Sequence, residues 1–253
     1  MSLGWGNWDV RVYAAESWVS LAPRFASEYP VILDSLASSL DDPTPAVRLQ
    51  FIQNMQVIGA ADPERMWQLA ERVAASETHP DLIAALLCRS LIRFGRTNLV
   101  RCEAVLTTVK NRLSAGEFTT AGDRNHVPEA LGQWVAILFV GQGRPLAYGW
   151  LEEFAADPVR YLAALQTFVG MLRGHLFDRY RSNATEESRN ICDRSQASLR
   201  IVLKQMSQTA AEARSVLVSG PEEVARDAAI KRYRAAGMLV EAARCGLPGA
   251  MPE

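Results

Sequence analysis

Proline placement constrains this chain more than any other feature. Pro45, Pro63, Pro80, Pro128, Pro145, Pro158 and Pro221 each stand ahead of a stretch whose apolar residues recur every three or four positions. Proline breaks a helix interior but suits its first turn, where the missing N–H has no partner to lose. Thr44, Asp62 and Asp157 precede three of these prolines as N-caps, and Glu64, Asp81, Glu129, Glu222 and Glu223 follow others, where negative charge complements the helix dipole. The pattern describes a succession of separately started helices. No alternating apolar run is bounded by hairpin signals, so the expected class is all-α.

The apolar faces agree with that class. Val47, Phe51, Met55 and Ile58 share one side of a helix, as do Ile83, Leu87, Leu91 and Phe94. Leu99, Cys102, Leu106, Val109 and Leu113 form a third stripe, and Leu131, Trp134, Val135, Leu138 and Phe139 a fourth. Residues 184–218 read as one long helix with a seam of Leu199, Leu203, Met206, Ala210, Ala213 and Leu217. Connections such as 41–44, 60–62, 77–79 and 141–144 are short, which forces neighbouring helices to run antiparallel. Residues 116–126 carry two glycines and no apolar period, and are expected to form an exposed loop.

The helices also repeat. Val10-Arg11 and Val47-Arg48 open similar helical runs 37 residues apart, and Pro43 through Gly59 has the outline of Pro80 through Gly95. A period of this length marks a stack of helix pairs. The segment Asp41-Asp42-Pro43-Thr44-Pro45-Ala46-Val47-Arg48 resembles the turn and second helix of the HEAT-repeat family. That resemblance implies a right-handed α-solenoid of about five antiparallel helix pairs, best matched over residues 8–95. It implies that Asp41 or Asp42 caps the inner helix and that Arg48 reaches an acidic turn residue of a neighbouring repeat. The expected organisation is HEAT-like repeats in 1–115, the exposed loop, then further helical repeats in 127–253, ending irregularly with the long helix and a C-terminal capping helix. Trp8–Leu21 reads as the second helix of a pair whose first is missing, with Trp5 and Trp8 apolar where a cap would be polar. This suggests the C-terminal region of a larger protein.

Charge excludes little. The formal net charge is −1, so no global field draws the chain to nucleic acid or to a membrane. The basic residues are nearly all arginine (only Lys110, Lys204 and Lys231 are lysine), a bias expected of a GC-rich bacterial genome. Cys88, Cys102, Cys192 and Cys245 are scattered with no C-x-x-C pair, which suits a reducing cytoplasm better than a disulfide framework or a zinc ribbon. The longest apolar stretch, Trp134–Val140, is too short to span a bilayer.

Candidate chemistry is sparse. His79, His126 and His175 are the only histidines, too few and too scattered for a zinc site, and no cofactor motif is present. Gly141-Gln142-Gly143-Arg144-Pro145 lacks the Lys-Ser/Thr of a phosphate loop and reads as an inter-helix turn. Asp123, His126 and Glu129 form the most suggestive polar group, beside the expected loop. Arg173, Arg179, Arg181, Arg189, Arg194 and Arg200 form the densest basic region, with Glu186, Glu187 and Asp193 interleaved to neutralise part of it.

These features point to a non-catalytic protein-interaction scaffold with one or more protein partners and no membrane. The alternative is a DNA-binding HEAT-like protein related to the alkylpurine DNA glycosylases, which would need a basic concave face. Self-association through the ends of the stack is a third expectation.

Overall fold

A computed structural model describes residues 10–118, 126–220 and 222–244. Trp5, Trp8, Asp123, Pro221, Cys245 and most of the expected loop lie outside these. The described residues form helices and turns and contain no strand. They divide into two compact units, Met1–Val127 and Pro128–Glu253.

In the first unit, α1 (Val10–Phe25) packs on α2 (Val31–Ser39) and on α3 (Pro45–Ile52). The helix continues past its expected end at Leu21, through Pro23, to Phe25. Next come a 3₁₀ turn (Met55–Ile58), α4 (Pro63–Ser76), α5 (Pro80–Ala85), a π-helical segment (Leu86–Leu91), the short α6 (Ile92–Phe94) and α7 (Leu99–Ser114). Here α3 meets α5, and α4 meets α7. Pro45, Pro63 and Pro80 occupy first-turn positions as expected. Asp62 caps α4 by accepting from the Arg65 amide at 2.9 Å, and His79 caps α5 through Nδ1.

Two helical irregularities face each other in this core. After Ile52 the α-helix gives way to a turn and then to the 3₁₀ segment, while the neighbouring chain bulges into π geometry. The buried Ser90 bridges them. Its hydroxyl donates to the Ile52 carbonyl at 2.5 Å and accepts from the Met55 amide at 3.0 Å. A break that would strand two buried backbone groups is thereby satisfied from the next helix.

The second unit holds α8 (Val127–Val135), a π segment (Ala136–Gly141), α9 (Pro145–Ala156), α10 (Leu162–Leu172), α11 (Glu186–Val218) and α12 (Glu223–Arg244). Pro158 does not start a helix. Residues 157–161 form a turn in which Asp157 accepts from the Arg160 amide, and the helix begins only at Leu162. The long helix is close to its expected span, capped by Thr185, whose hydroxyl accepts from the Ser188 amide at 3.1 Å. Its buried seam is rotated from the expected one. Cys192, Ser195, Ser198, Val202, Met206, Thr209 and Ala213 are buried, while Leu199, Leu203 and Leu217 lie half-buried at the side. α12 folds back against it, as the Arg232–Glu212 pair at 2.9 Å requires. Alanines at 229, 235, 236 and 243 let the two backbones approach.

α8 and α10 meet closely at Gly132. A Cβ there would stand 2.0 Å from the Ala164 carbonyl oxygen, so only glycine fits. The Gly141–Arg144 segment is a helix-ending turn with Gly143 at φ +66°, and its amides return to the Leu138 and Phe139 carbonyls.

Candidate interaction surfaces

The turn edge of the first unit is built from charge pairs repeated at nearly the helix-pair spacing. Arg11 on α1 reaches Asp42 in the following turn at 3.2 Å. Arg48, 37 residues later, reaches Glu77 in the turn after α4 through two bonds of 2.8 and 3.0 Å. Arg48 also donates to the Asp42 carbonyl at 2.8 Å. Asp42 organises its turn by accepting from the Thr44 amide at 2.7 Å. A second row runs along the other helices. Arg65 reaches Asp34, Arg72 pairs with Asp41, and Arg101 clamps Glu71 and Glu64.

Between these turns lies a cleft of about 470 Å³, lined by Asp41, Asp42, Arg48, Arg72, Glu77 and Thr78 among others. Burial alone would raise the pKa of Glu77. The Arg48 hydrogen bonds, the His79 and Thr78 amides and the Arg48 charge outweigh it and hold the carboxyl below its ordinary value. The Arg101 guanidinium is shifted further up, chiefly by its hydrogen bond to Glu71. Each charge in the cleft already has a partner, so the cleft is a structural seam rather than a vacant charged pocket.

In the second unit the arginines singled out from sequence divide by what they touch. Arg194 turns inward, donating to the Val140 carbonyl at 2.7 Å and holding the end of the π segment. Arg173 donates to the Ala242 carbonyl at 2.8 Å, at the C-terminal end of α12. Arg179 pairs with Asp193 and lies over the Tyr180 ring. Arg181 lies 3.1 Å from Asp178, which also holds His175 at 2.9 Å. Arg189 and Arg200 remain exposed, and among the described residues neither forms an ion pair.

Lys204 and Arg214 join them. Both are exposed and make no ion pair among the described residues, and helical spacing sets all four cations along the outer side of α11 over about 37 Å. Sequence reasoning reached Arg189 and Arg200 but missed Lys204 and Arg214. Offsets of 11, 15 and 25 residues from Arg189 are close to whole helical turns and carry that signal. Next to Arg214, a shallow groove of about 500 Å³ runs between α11 and α12, lined by Ala210, Ala211, Ser215, Val218 and Tyr233.

His126 is exposed just before α8, and Glu129 is half-buried in its first turn. Asp123, the third member of the expected polar group, lies outside the described residues. Among the described residues no three His, Cys, Asp or Glu side chains are placed to hold a metal ion. No described helix is long and apolar enough to cross a membrane. Cys102 and Cys192 are buried and free; burial, helped by Glu103, pushes the Cys102 thiol up to about 12. Set against protein-family models, curated proteins and solved structures, the chain matches none.

Proposed function

We propose that this chain is a non-catalytic protein-interaction scaffold, a HEAT-like right-handed solenoid of bacterial origin, whose partner presents an acidic surface to α11. The solenoid reading is supported by the Arg11–Asp42 and Arg48–Glu77 pairs, in which an inner-helix arginine reaches the acidic turn of the next pair. The scaffold reading rests on one observation. Arg189, Arg200, Lys204 and Arg214 line one exposed side of a 33-residue helix and form no ion pair among the described residues. Asp193 is engaged by Arg179 and Glu212 by Arg232, which leaves Glu186 and Glu187 in the first turn of α11 as the acids nearest to Arg189. A row of exposed cations along one rigid helix suits charge-steered docking of an acidic protein.

The test is affinity capture with the wild-type chain and with an Arg189→Glu/Arg200→Glu/Lys204→Glu variant. A protein retained by the first, lost by the second and released by moderate salt supports the reading. Identical capture by both contradicts it. The same cations favour duplex DNA as a second reading. Mobility shifts across a salt series separate the two, because phosphate contacts make affinity fall steeply with salt. The scaffold reading expects no sequence-independent DNA binding near physiological salt.

A further inference from the structure

The outer side of α11 changes from basic to apolar toward its C-terminal end. Arg200, Lys204, Ser207, Ala211, Arg214 and Val218 follow one another at intervals of four and three residues, which keeps them on one side of the helix. Alternating intervals of this kind are those of a seam on which a second helix can pack. Its last three members border the groove beside α12. The floor of that groove is made of small residues, Ala210, Ala211 and Ser215, and Tyr233 of α12 stands at its edge. Val218 is 80% exposed and Tyr233 49%, so apolar surface is open to solvent there.

Charge and backbone chemistry select what fits. Arg200, Lys204 and Arg214 are exposed and form no ion pair among the described residues, and the seam contains no acid. A second copy laid seam to seam would set cation against cation. A phosphate backbone answers the charge but not the apolar floor. Both walls of the groove are helices, whose interior amides and carbonyls are already bonded within each helix. An extended segment would find no backbone partners there, whereas an incoming helix brings its own backbone satisfied. A helix with an apolar stripe flanked by carboxylates answers the charge, the floor and the walls together.

We propose that this groove takes an acidic amphipathic helix of the partner protein, with large apolar side chains seated between Ala211 and Tyr233 and carboxylates on Lys204 and Arg214. The seam from Arg200 to Val218 is about 27 Å long, which matches about 18 residues of an incoming helix. The inference rests on the acidic-partner reading above and adds to it the secondary structure of the docking segment and its apolar anchor.

Fluorescence anisotropy with the full chain and three labelled peptides of equal net charge tests this. The first is a stapled helix of that length with leucines along one side and glutamates beside them. The second has the same residues with the leucines scattered, and the third is an oligoglutamate. The ordered helix should bind at least tenfold tighter than either control, and Arg214→Glu should weaken all three. Ala211→Arg adds a positive charge while filling the floor. It should weaken the ordered helix at least tenfold and tighten the oligoglutamate, with far-UV circular dichroism melts confirming that each variant folds. Equal binding of the three peptides, or an ordered helix that Ala211→Arg tightens, overturns the groove and leaves the acidic-partner reading standing. No binding of any peptide at several hundred micromolar overturns both. Self-association of the chain that Ala211→Arg abolishes would give the groove to a second copy and also overturn the proposal.

Discussion

Ser90 and Glu77 show how single side chains decide whether neighbouring helices can sit together. Ser90 supplies both a donor and an acceptor to a broken backbone. Ser90→Ala leaves the Met55 amide and the Ile52 carbonyl buried without those bonds, and should cost about 1–3 kcal/mol, read from the midpoint of urea unfolding at unchanged slope. Glu77 and Arg48 are both largely buried, at 7% and 15% side-chain exposure. Glu77→Ala strands the Arg48 charge and should cost about 3 kcal/mol near neutral pH. Because the folded state holds the Glu77 pKa below its ordinary value of 4.5, its contribution is fully present above that value. It is lost as pH falls through the lowered folded pKa. The stability gap between wild type and Glu77→Ala, measured by urea unfolding at a series of pH values, should therefore be flat above pH 5 and shrink in acid. A gap that widens in acid contradicts this sign.

Gly132 makes the corresponding point for whole elements. Its missing side chain is what allows α8 and α10 to touch, and the obstructing atom is a backbone carbonyl that cannot rotate away. Gly132→Ala should cost more than about 2 kcal/mol despite the better helix propensity of alanine, again by urea unfolding. Gly149→Ala, where a Cβ meets no neighbouring atom, serves as the control and should be neutral or stabilising. Much of the element plan is legible in the sequence because its signals are local. Pro45, Pro63 and Pro80 mark helix starts, and Thr185 with Glu186 and Glu187 marks another. Signals that depend on tertiary neighbours are not legible. Pro158 looks like a start, yet a turn intervenes before Leu162. A π segment inserts one residue per turn without changing composition, so Leu86–Leu91 and Ala136–Gly141 look like ordinary helix. The α11 seam is misplaced because buried Ser195 and Ser198 read as surface, although each hydroxyl is satisfied by its own helix at the Ile191 and Arg194 carbonyls. Arg173 and Arg194 look available because a carbonyl acceptor leaves no mark in a sequence.

For the molecule as a whole, the central claim is that helix pairs in the first unit are added in line, each burying its apolar side on the pair before. On the proposed solenoid reading, the Arg–turn-acid contacts recur because the pairs do. In such an arrangement stability is close to a sum of units and nearest-neighbour interfaces, and one more unit is tolerated. Helices gathered about one closed core would have no room for it. The direct measurement is thermal and urea unfolding, with near-UV circular dichroism, of a chain carrying residues 43–79 twice. The second Pro43 then follows His79, where Pro80 normally stands. The account predicts a cooperatively folding protein with a proportionate gain in helical signal, an intact near-UV spectrum and no loss of stability. Broad, non-cooperative unfolding and a collapsed near-UV signal would contradict it.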